Sequence, residues 1–209
     1  PIGDKNMKIA VIGASGTIGK AVVESLKNEH TIVTLGTSQS DIQLDITDRE
    51  SIREAFAKMG QVDAIVSAVG AVSFKPFGEY TEDDWNLSLQ HKLMGQIRIA
   101  EEGTQYLSSG GSITLTSGIT SDFPIHYGTS ATTVGGAIEF FAKSAALEAP
   151  NGIRINVVSP TVLTESAAVY GQYFPGFLSI PAAQVATYYQ RSIFGLENGH
   201  IFKCFAGNS

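Results

Sequence analysis

The sequence has little of several features that mark particular protein classes. One cysteine, Cys204, in 209 residues excludes an internal disulfide and is typical of an intracellular chain, so we expect a cytoplasmic protein. Charged residues make up only 16%, with 14 basic and 20 acidic side chains and no basic stripe, which argues against nucleic acid as a partner. No apolar run approaches the roughly 18 residues of a membrane span, so no membrane association is expected. The four histidines show no metal-ligand spacing, and no metal site is predicted.

Glycine and apolar residues are abundant instead. The chain has 22 glycines and 43% hydrophobic residues, a composition that indicates a packed domain with many tight turns. Its length fits one domain, which we predict over residues 7–209 because Met7 opens the first apolar run. The polar residues 1–6 are expected to be an appended remnant or a disordered terminus.

Apolar runs of strand length alternate with helical patterns along the chain. Strands are predicted at 8–12, 31–35, 42–44, 62–68, 112–116, 153–158 and 200–205. Helices are predicted at 17–28, 48–59, 81–100 and 130–149, with a last one from 181. Residues 161–179 are expected to form a mobile loop. This alternation predicts an α/β fold of the Rossmann type, a doubly wound sheet of about seven mostly parallel strands with helices on both faces.

A glycine-rich turn follows the first strand directly. Gly13, Gly16 and Gly19 are spaced along the segment that leads from this strand into the first helix. Glycines permit a tight turn and a close approach of the backbone to a pyrophosphate, and the helix N-terminus favours an anion. The turn therefore predicts a dinucleotide site, and the intervening residues expected to contact the cofactor are Ser15, Thr17 and Ile18.

Four further segments resemble the short-chain dehydrogenase/reductase family over nearly the whole chain. They are Leu44-Asp45-Ile46, Asp63-Ala-Ile-Val-Ser67-Ala68-Val69-Gly70, Ile153-Arg154-Ile155-Asn156-Val157-Val158-Ser159-Pro160 and Gly199-His-Ile-Phe-Lys-Cys-Phe-Ala-Gly207. In that family the first segment contacts adenine, the second ends the fourth strand, the third is the sixth strand and the last is the closing strand. The resemblance implies cofactor contacts from Asp45, Ile46, Ala68, Val69, Gly70, Pro160, Val162 and Thr164.

The choice between the two nicotinamide cofactors depends on the end of the second strand. An NAD site usually has a carboxylate there, which accepts from the ribose hydroxyls and would repel a 2′-phosphate. No acid precedes Asp41, whereas Thr37 and Ser38, with Ser15 from the glycine turn, offer hydroxyl donors. We therefore predict NADP, with NAD as the alternative.

The resemblance also implies a catalytic asparagine, serine, tyrosine and lysine, of which only the serine is plain. Ser117 ends the fifth predicted strand, where the family's serine lies. An alignment without gaps from residues 145–148 places Ala131 and Gly135 at the tyrosine and lysine positions, and we favour this register. In the other register Tyr127 is the tyrosine and Ala131 takes the lysine position. Both registers lack the lysine.

The family's asparagine position falls at Lys92, inside the long predicted helix. The residues three and four positions away are not acidic, so no helical ion pair is available to its ammonium. One interpretation is a relocated ammonium that replaces the lost lysine, and the other is a solvated lysine on a helix face. Ser117, Lys92 and Tyr127 are therefore the candidate catalytic residues.

Two functions remain open from the sequence. The first is an NAD(P)(H)-dependent oxidoreductase that acts on a small carbonyl or alcohol substrate with a degenerate catalytic site. The second is a non-catalytic dinucleotide-binding sensor or partner-binding protein, because a fold alone does not decide function. The helix predicted at 130–149 is rich in small residues, which favours close helix pairing and a homodimer or homotetramer.

Overall fold

The computed structural model describes residues 5–209. Residues 1–4 lie outside it, so the prediction of an appended remnant or disordered terminus over residues 1–6 can be compared with the structure only at Lys5 and Asn6. The Asn6 side-chain oxygen accepts from the backbone N–H of Thr31 at 3.2 Å, which ties this part of the terminus to the second strand.

One seven-stranded sheet forms the centre of the protein, and all its strand pairs are parallel. Its order is β3-β2-β1-β4-β5-β6-β7, so the order reverses between β1 and β4. The predicted Rossmann-type fold is confirmed. The strands are β1 (Lys8–Ile12), β2 (Thr31–Gly36), β3 (Ile42–Gln43), β4 (Val62–Ser67), β5 (Leu107–Thr116), β6 (Arg154–Pro160) and β7 (Ile201–Cys204).

Helices cover both faces of this sheet. Helices α1 and α7 pack on one face through Val22, Leu26, Val185 and Tyr189. On the other face, α2, α4 and α5 bury apolar residues that include Phe56, Ile99 and Ile138. The helices are α1 (Thr17–Leu26), α2 (Arg49–Met59), α3 (Glu82–Leu87), α4 (Met94–Gly103), α5 (Thr129–Glu148), α6 (Ala167–Tyr170) and α7 (Ala182–Phe194).

The long helix predicted from Thr81 is interrupted in the middle. Thr81 does cap its start, accepting from the Asp84 backbone N–H at 3.1 Å. Between α3 and α4, however, the Ser88–Leu93 segment widens into a π-helical turn. The buried hydroxyl of Ser88 lies 3.1 Å from that of Ser130 on α5. This contact holds the widened turn against α5, and a widened turn of this kind is common at functional sites.

Residues 161–179 also differ from the prediction of a mobile loop. The segment folds into 3₁₀ turns at Thr164–Ser166 and Gly171–Tyr173, with α6 between them. Its two ends are joined, since the Thr164 N–H donates to the Ile180 carbonyl at 2.9 Å. Pattern analysis missed these turns because each is shorter than two helical periods.

Candidate active site

The glycine turn packs directly against the segment that follows β4. Gly13 has a φ of +85°, which favours glycine. A side chain at this position would collide with Val69 and lie 2.6 Å from the carbonyl oxygen of Ala68. The two segments therefore meet at the point where the strand order reverses, which is where open α/β sheets bind ligands.

The start of α1 completes this turn. The Gly16 N–H donates to the Gly13 carbonyl at 3.1 Å, and Gly16 is the N-cap residue of α1. A side chain on Gly19 would overlap the Gly13 carbonyl, so both ends of the turn require glycine. Thr17 and Ile18 line the cleft opposite Ala68, Val69 and Gly70. This backbone cradle fits the pyrophosphate of a dinucleotide.

The end of β2 presents hydroxyls to solvent. Thr37 and Ser38 are both exposed. Asp41, the first acid after the strand, is turned back onto β2: its carboxylate accepts from the Thr34 N–H at 3.0 Å, and its own N–H donates to the Thr34 hydroxyl at 2.9 Å. The nearest carboxylate is therefore already engaged in local hydrogen bonds.

The segment after β3 is held in place by its own contacts. The Asp45 carboxylate accepts from the hydroxyl and the N–H of Thr47 at 2.7 and 2.9 Å, and these bonds lower the pKa of Asp45. Ile46 is buried and packs on Gly95 of α4, where an added side chain would lie 2.6 Å from it. Asp45 and Ile46 thus form a fixed wall beside the end of β2.

Lys92 lines two neighbouring cavities. One is the cleft beside the glycine turn, which we call the dinucleotide cleft, and the other is a second cavity next to it. Gly70, at a φ of +113°, packs on Lys92, and a side chain there would lie 2.6 Å from the Lys92 Cα. Lys92 lines the cleft with Thr17 and Val69. It also lines a neighbouring cavity, which we call the Ser117 cavity.

The ammonium of Lys92 has no hydrogen-bond or ion-pair partner among residues 5–209. Burial removes water from the charged form and lowers the pKa of Lys92 to about 8. The side chain is partly buried rather than solvated, so the interpretation as an ordinary surface lysine does not describe it. A cation with this pKa is largely protonated at neutral pH and loses its charge above about pH 8.

The Ser117 cavity measures about 160 Å³ and lies at the carboxyl end of β5 and β6. Small residues of α5 form one wall, and Phe74 and Phe174 form part of another. The lining residues of this cavity include Lys92, Ser117, Ala131, Gly135, Pro160, Thr161 and Val162. The hydroxyl oxygen of Ser117 is itself buried. The cavity thus combines the cation of Lys92 and the hydroxyl-bearing residues Ser117, Thr120 and Thr161 with largely apolar walls.

A buried side chain fixes the position of Lys92. Gln96, one turn further along α4, donates to the carbonyls of Lys92 and Thr116 at 3.1 and 2.8 Å. Its amide oxygen accepts from the Thr116 N–H at 2.9 Å and from the Ser67 hydroxyl at 3.1 Å. Gln96 therefore ties the π-helical turn to β4 and β5, and sequence reasoning did not single it out.

Comparison with known proteins identifies the family. The family model described as enoyl-(acyl carrier protein) reductase matches residues 5–187. The chain belongs to the short-chain dehydrogenase/reductase family. Versicolorin reductase 1 of Dothistroma septosporum is 32% identical over 167 residues, which cover 75% of this chain and 63% of that protein. The chain therefore spans less than two thirds of this relative's length.

Solved structures agree with the short-chain dehydrogenase/reductase assignment. The protein lin1944 from Listeria innocua is 45% identical and superposes with a TM-score of 0.92, covering 94% of this chain and 98% of that one. A small-chain dehydrogenase in complex with NADPH has a TM-score of 0.85 at 23% identity, with 97% of this chain and 98% of that one covered. At that identity the likeness shows the fold alone. None of the helices in the described part, residues 5–209, is long and apolar enough to cross a bilayer.

The two registers for the family's tyrosine and lysine place different residues near Ser117. Ala131 and Gly135 line the Ser117 cavity, as the favoured register implies. Tyr127 is 46% exposed, and its ring packs edge-on against Tyr173 at 6.3 Å. Tyr127 is not among the residues that line the cavity. The structure therefore brings Ser117 and Lys92 together but leaves Tyr127 outside.

The residues at the end of β6 and just after it line different parts of the site. Pro160 and Val162 line the Ser117 cavity, whereas Thr164 is exposed and its hydroxyl pairs with that of Ser179 at 3.0 Å. Leu163 and Ser166 line the dinucleotide cleft instead, and neither was expected from the sequence. Their positions depend on the 3₁₀ turn at Thr164–Ser166, which the pattern analysis did not predict.

Proposed function

We propose that this short-chain dehydrogenase/reductase is an NADP(H)-dependent oxidoreductase that acts on a small carbonyl or alcohol substrate. One observation carries the proposal: Lys92 and Ser117 line a single cavity, and Lys92 also lines the adjoining dinucleotide cleft. A substrate in that cavity would lie beside the cofactor, a cation and a hydroxyl, which is the arrangement that carbonyl reduction needs.

The residues around the cleft fit a dinucleotide. The backbone of Gly13, Gly16 and Gly19 would hold the pyrophosphate, with Asp45 and Ile46 towards the adenine. The exposed hydroxyls of Thr37 and Ser38, with no free carboxylate beside them, favour NADP over NAD. A bound reduced nicotinamide would supply hydride to the substrate. The neighbour described above has the same fold and was solved in complex with NADPH.

Lys92 would act through its charge. In the reduction of a carbonyl, negative charge develops on the oxygen, and a nearby ammonium in a site poor in water stabilises that charge strongly. The lowered pKa of about 8 means that Lys92 is largely charged at neutral pH and loses its charge above it. This role would replace the lysine that both registers lack.

The cavity walls favour a substrate with an apolar body. Val72, Phe74, Tyr170 and Phe174 line an adjoining opening of about 370 Å³. The versicolorin reductase and a 3-oxoacyl-[acyl-carrier-protein] reductase of Buchnera aphidicola, 29% identical over 185 residues, are relatives named as reductases. We therefore propose reduction of a carbonyl group on a small, largely apolar molecule.

Cofactor titration followed by a substrate panel tests this proposal. NADPH fluorescence should report binding, and NADPH oxidation should then be measured with aldehydes, ketones and quinones. Binding together with turnover of at least one carbonyl class is expected. Tight binding with no turnover across the panel would favour the non-catalytic sensor, and the absence of dinucleotide binding would contradict both functions.

We also propose a homodimer or homotetramer. Phe140 and Leu147 of α5 are 71% and 88% exposed, and large apolar side chains on one helix favour association with a second copy. Light scattering at micromolar concentration should give at least twice the 22.2 kDa chain mass. A mass near that of one chain would contradict the proposal.

A further inference from the structure

The opening of about 370 Å³ beside the Ser117 cavity borders both parts of the site, and we call it the aromatic opening. It shares Gly70 and Leu163 with the dinucleotide cleft. It shares Phe74 and Phe174 with the Ser117 cavity. A molecule whose carbonyl group lies in the Ser117 cavity would therefore have room for its body in the aromatic opening, next to the cofactor.

Phe74 is the centre of an aromatic cluster at this opening. Its ring stacks on that of Tyr173, with the centroids 5.4 Å apart and the planes at 18°. The ring of Tyr170 lies 6.1 Å from that of Phe74, and Tyr170 is 45% exposed. Phe74 and Tyr170 line the aromatic opening, whereas Tyr173 is not among its lining residues. Tyr173 thus supports the Phe74 ring from outside the opening.

The segment that carries Phe74 is held by a closed ring of hydrogen bonds around its neighbour Ser73. The Ser73 N–H donates to the Ser88 hydroxyl at 3.1 Å, and the Ser130 hydroxyl donates to the Ser73 carbonyl at 2.7 Å. Because the Ser130 proton is engaged there, Ser88 is the donor in its 3.1 Å contact with Ser130. All three serines are buried. The ring ties Phe74 to the π-helical turn and to α5, so binding requires little ordering of this wall.

The chemistry of the aromatic opening favours an uncharged aromatic ring. None of the side chains that line it in the described chain, residues 5–209, carries a charge. Burial of apolar surface would stabilise a saturated or an aromatic ring alike. Only an aromatic ring gains an additional offset-stacked or edge-to-face contact with Phe74 or Tyr170, which is worth about 2–10-fold in affinity.

We propose that the substrate is an aryl ketone or aryl aldehyde, and that Phe74 is the residue that selects its planar ring. The inference rests on the proposed carbonyl reduction and narrows its substrate class. The carbonyl group lies in the Ser117 cavity with Lys92, and the aryl group lies in the aromatic opening against Phe74. An aliphatic ketone of the same size fits the same space but lacks the ring contact.

A matched pair of ketones tests this selection without turnover. Phenyl methyl ketone and cyclohexyl methyl ketone have the same carbon skeleton and differ in the aromaticity of the ring. Each is titrated by calorimetry into protein saturated with oxidised NADP, which cannot reduce it. The wild type should bind the phenyl ketone about 2–10-fold more tightly, although the saturated ring is no less apolar. Equal affinity, or tighter binding of the cyclohexyl ketone, would overturn the proposal.

Variants assign the preference to Phe74. Phe74→Leu should lose the preference for the phenyl ketone and bind the cyclohexyl ketone about as well as the wild type. Phe74→Tyr keeps a ring and should keep the preference. The matched control is Phe77→Leu in the same segment, since Phe77 is 91% exposed. A Phe74→Leu variant that retains the wild-type preference would contradict the role of Phe74, as would a Phe74→Tyr variant that loses it.

Steady-state kinetics separate this proposal from the function on which it rests. With NADPH, kcat/KM should favour the phenyl ketone by the same factor in the wild type and not in Phe74→Leu. Reduction of carbonyls with no preference between the two ketones would overturn the aromatic selection and leave the proposed function standing. Preferential binding of the phenyl ketone with no reduction of any carbonyl would overturn the proposed function, while the aromatic site itself would be supported.

Discussion

The glycine turn and the cavity-facing side of α5 both depend on small residues, but the contacts that require small residues differ. At the turn, Gly13 and Gly19 are needed because backbone atoms of the same site approach each other too closely for any side chain. On α5, Ala131 and Gly135 border a cavity, and the nearest obstacle to a side chain at Gly135 is the hydroxyl of Ser121. The first region is constrained mainly by close backbone contacts and the second by a close contact with a side chain.

This difference indicates which half of the site can accept other residues. A steric constraint between backbone atoms leaves no alternative to glycine at Gly13 and Gly19. A charged catalytic side chain that projects into a cavity can be replaced by another residue if a group on a different helix or strand supplies the same charge. Under the proposed function, Lys92 on the π-helical turn would be such a group, because it lines the same cavity as Ala131 and Gly135 of α5.

Removing the charge of Lys92 should have the largest effect. Lys92→Met keeps most of the packing of the stem and should lower kcat by about 10²–10⁴-fold, as expected for loss of a group that stabilises the transition state. Lys92→Arg should be nearly as impaired, because a planar guanidinium does not fit the place of a compact ammonium. Steady-state kinetics on the best substrate of the panel would measure both.

The pH dependence of the same variant gives a second readout. Wild-type turnover should decrease as the pH rises through about 8, since Lys92 then loses its charge. Stability should move in the opposite direction: above about pH 8 the unfolded chain holds a proton that the folded chain has released, so unfolding becomes more costly up to about pH 10. Chemical denaturation should show this rise in the wild type and not in Lys92→Met. An identical rise in the wild type and in Lys92→Met would contradict the burial assigned to the Lys92 ammonium.

Disturbing the glycine turn should have the next largest effect. Gly19→Ala places a methyl group against the Gly13 carbonyl and should reduce the free energy of unfolding by about 1–3 kcal/mol. NADPH affinity should fall by about tenfold or more, because the cradle has to open. The matched control is Gly136→Ala on α5, where an added side chain meets nothing within 4 Å. Denaturation and fluorescence titration would show a loss only in Gly19→Ala.

A carboxylate at the end of β2 should change the cofactor preference. We expect the wild type to bind NADPH at least as tightly as NADH. Ser38→Asp should shift the ratio towards NADH by about tenfold, equivalent to about 1.4 kcal/mol, because the new charge repels the 2′-phosphate. Ser38→Asn is the neutral control of the same shape. A wild type that already prefers NADH tenfold would contradict the role given to Thr37 and Ser38.

The smallest effect is expected at Tyr127. Its ring is half exposed and does not line the Ser117 cavity, so Tyr127→Phe should alter kcat by no more than about twofold. Tyr173→Phe, its packing partner, is the control. A collapse of turnover in Tyr127→Phe alone would show that Tyr127 is the family's tyrosine and that the second register is correct.

Several features were predictable because they depend on local sequence. The central strands β1, β4 and β6 contain apolar runs that are almost entirely buried, and the glycine spacing reports a backbone conformation at the turn itself. Ser117 was found because it directly follows such a strand. The end of β5 was predicted but not its start at Leu107, since the Ser-Ser-Gly-Gly run at 108–111 carries no strand pattern and pairs only through a shift in register.

Other features depend on contacts between distant segments. The π-helical turn requires Ser88 to meet Ser130, 42 residues further along, and periodicity within one helix does not contain that information. The position of Gln96 also depends on distant segments, because its four hydrogen bonds involve Ser67 of β4, Thr116 of β5 and Lys92 of the π-helical turn.

The sequence by itself determined the α/β fold, the family and the dinucleotide turn, because apolar periodicity and glycine conformation act over a few neighbouring residues. It also predicts, in the favoured register, that the tyrosine and lysine pair is missing. Only the tertiary structure decided that Lys92 is partly buried and unpaired in the described chain, and that it lines the same cavity as Ser117. The environment of an ionisable group is set by whichever elements pack against it, and at Lys92 those elements include the π-helical turn, α5 and the end of β5.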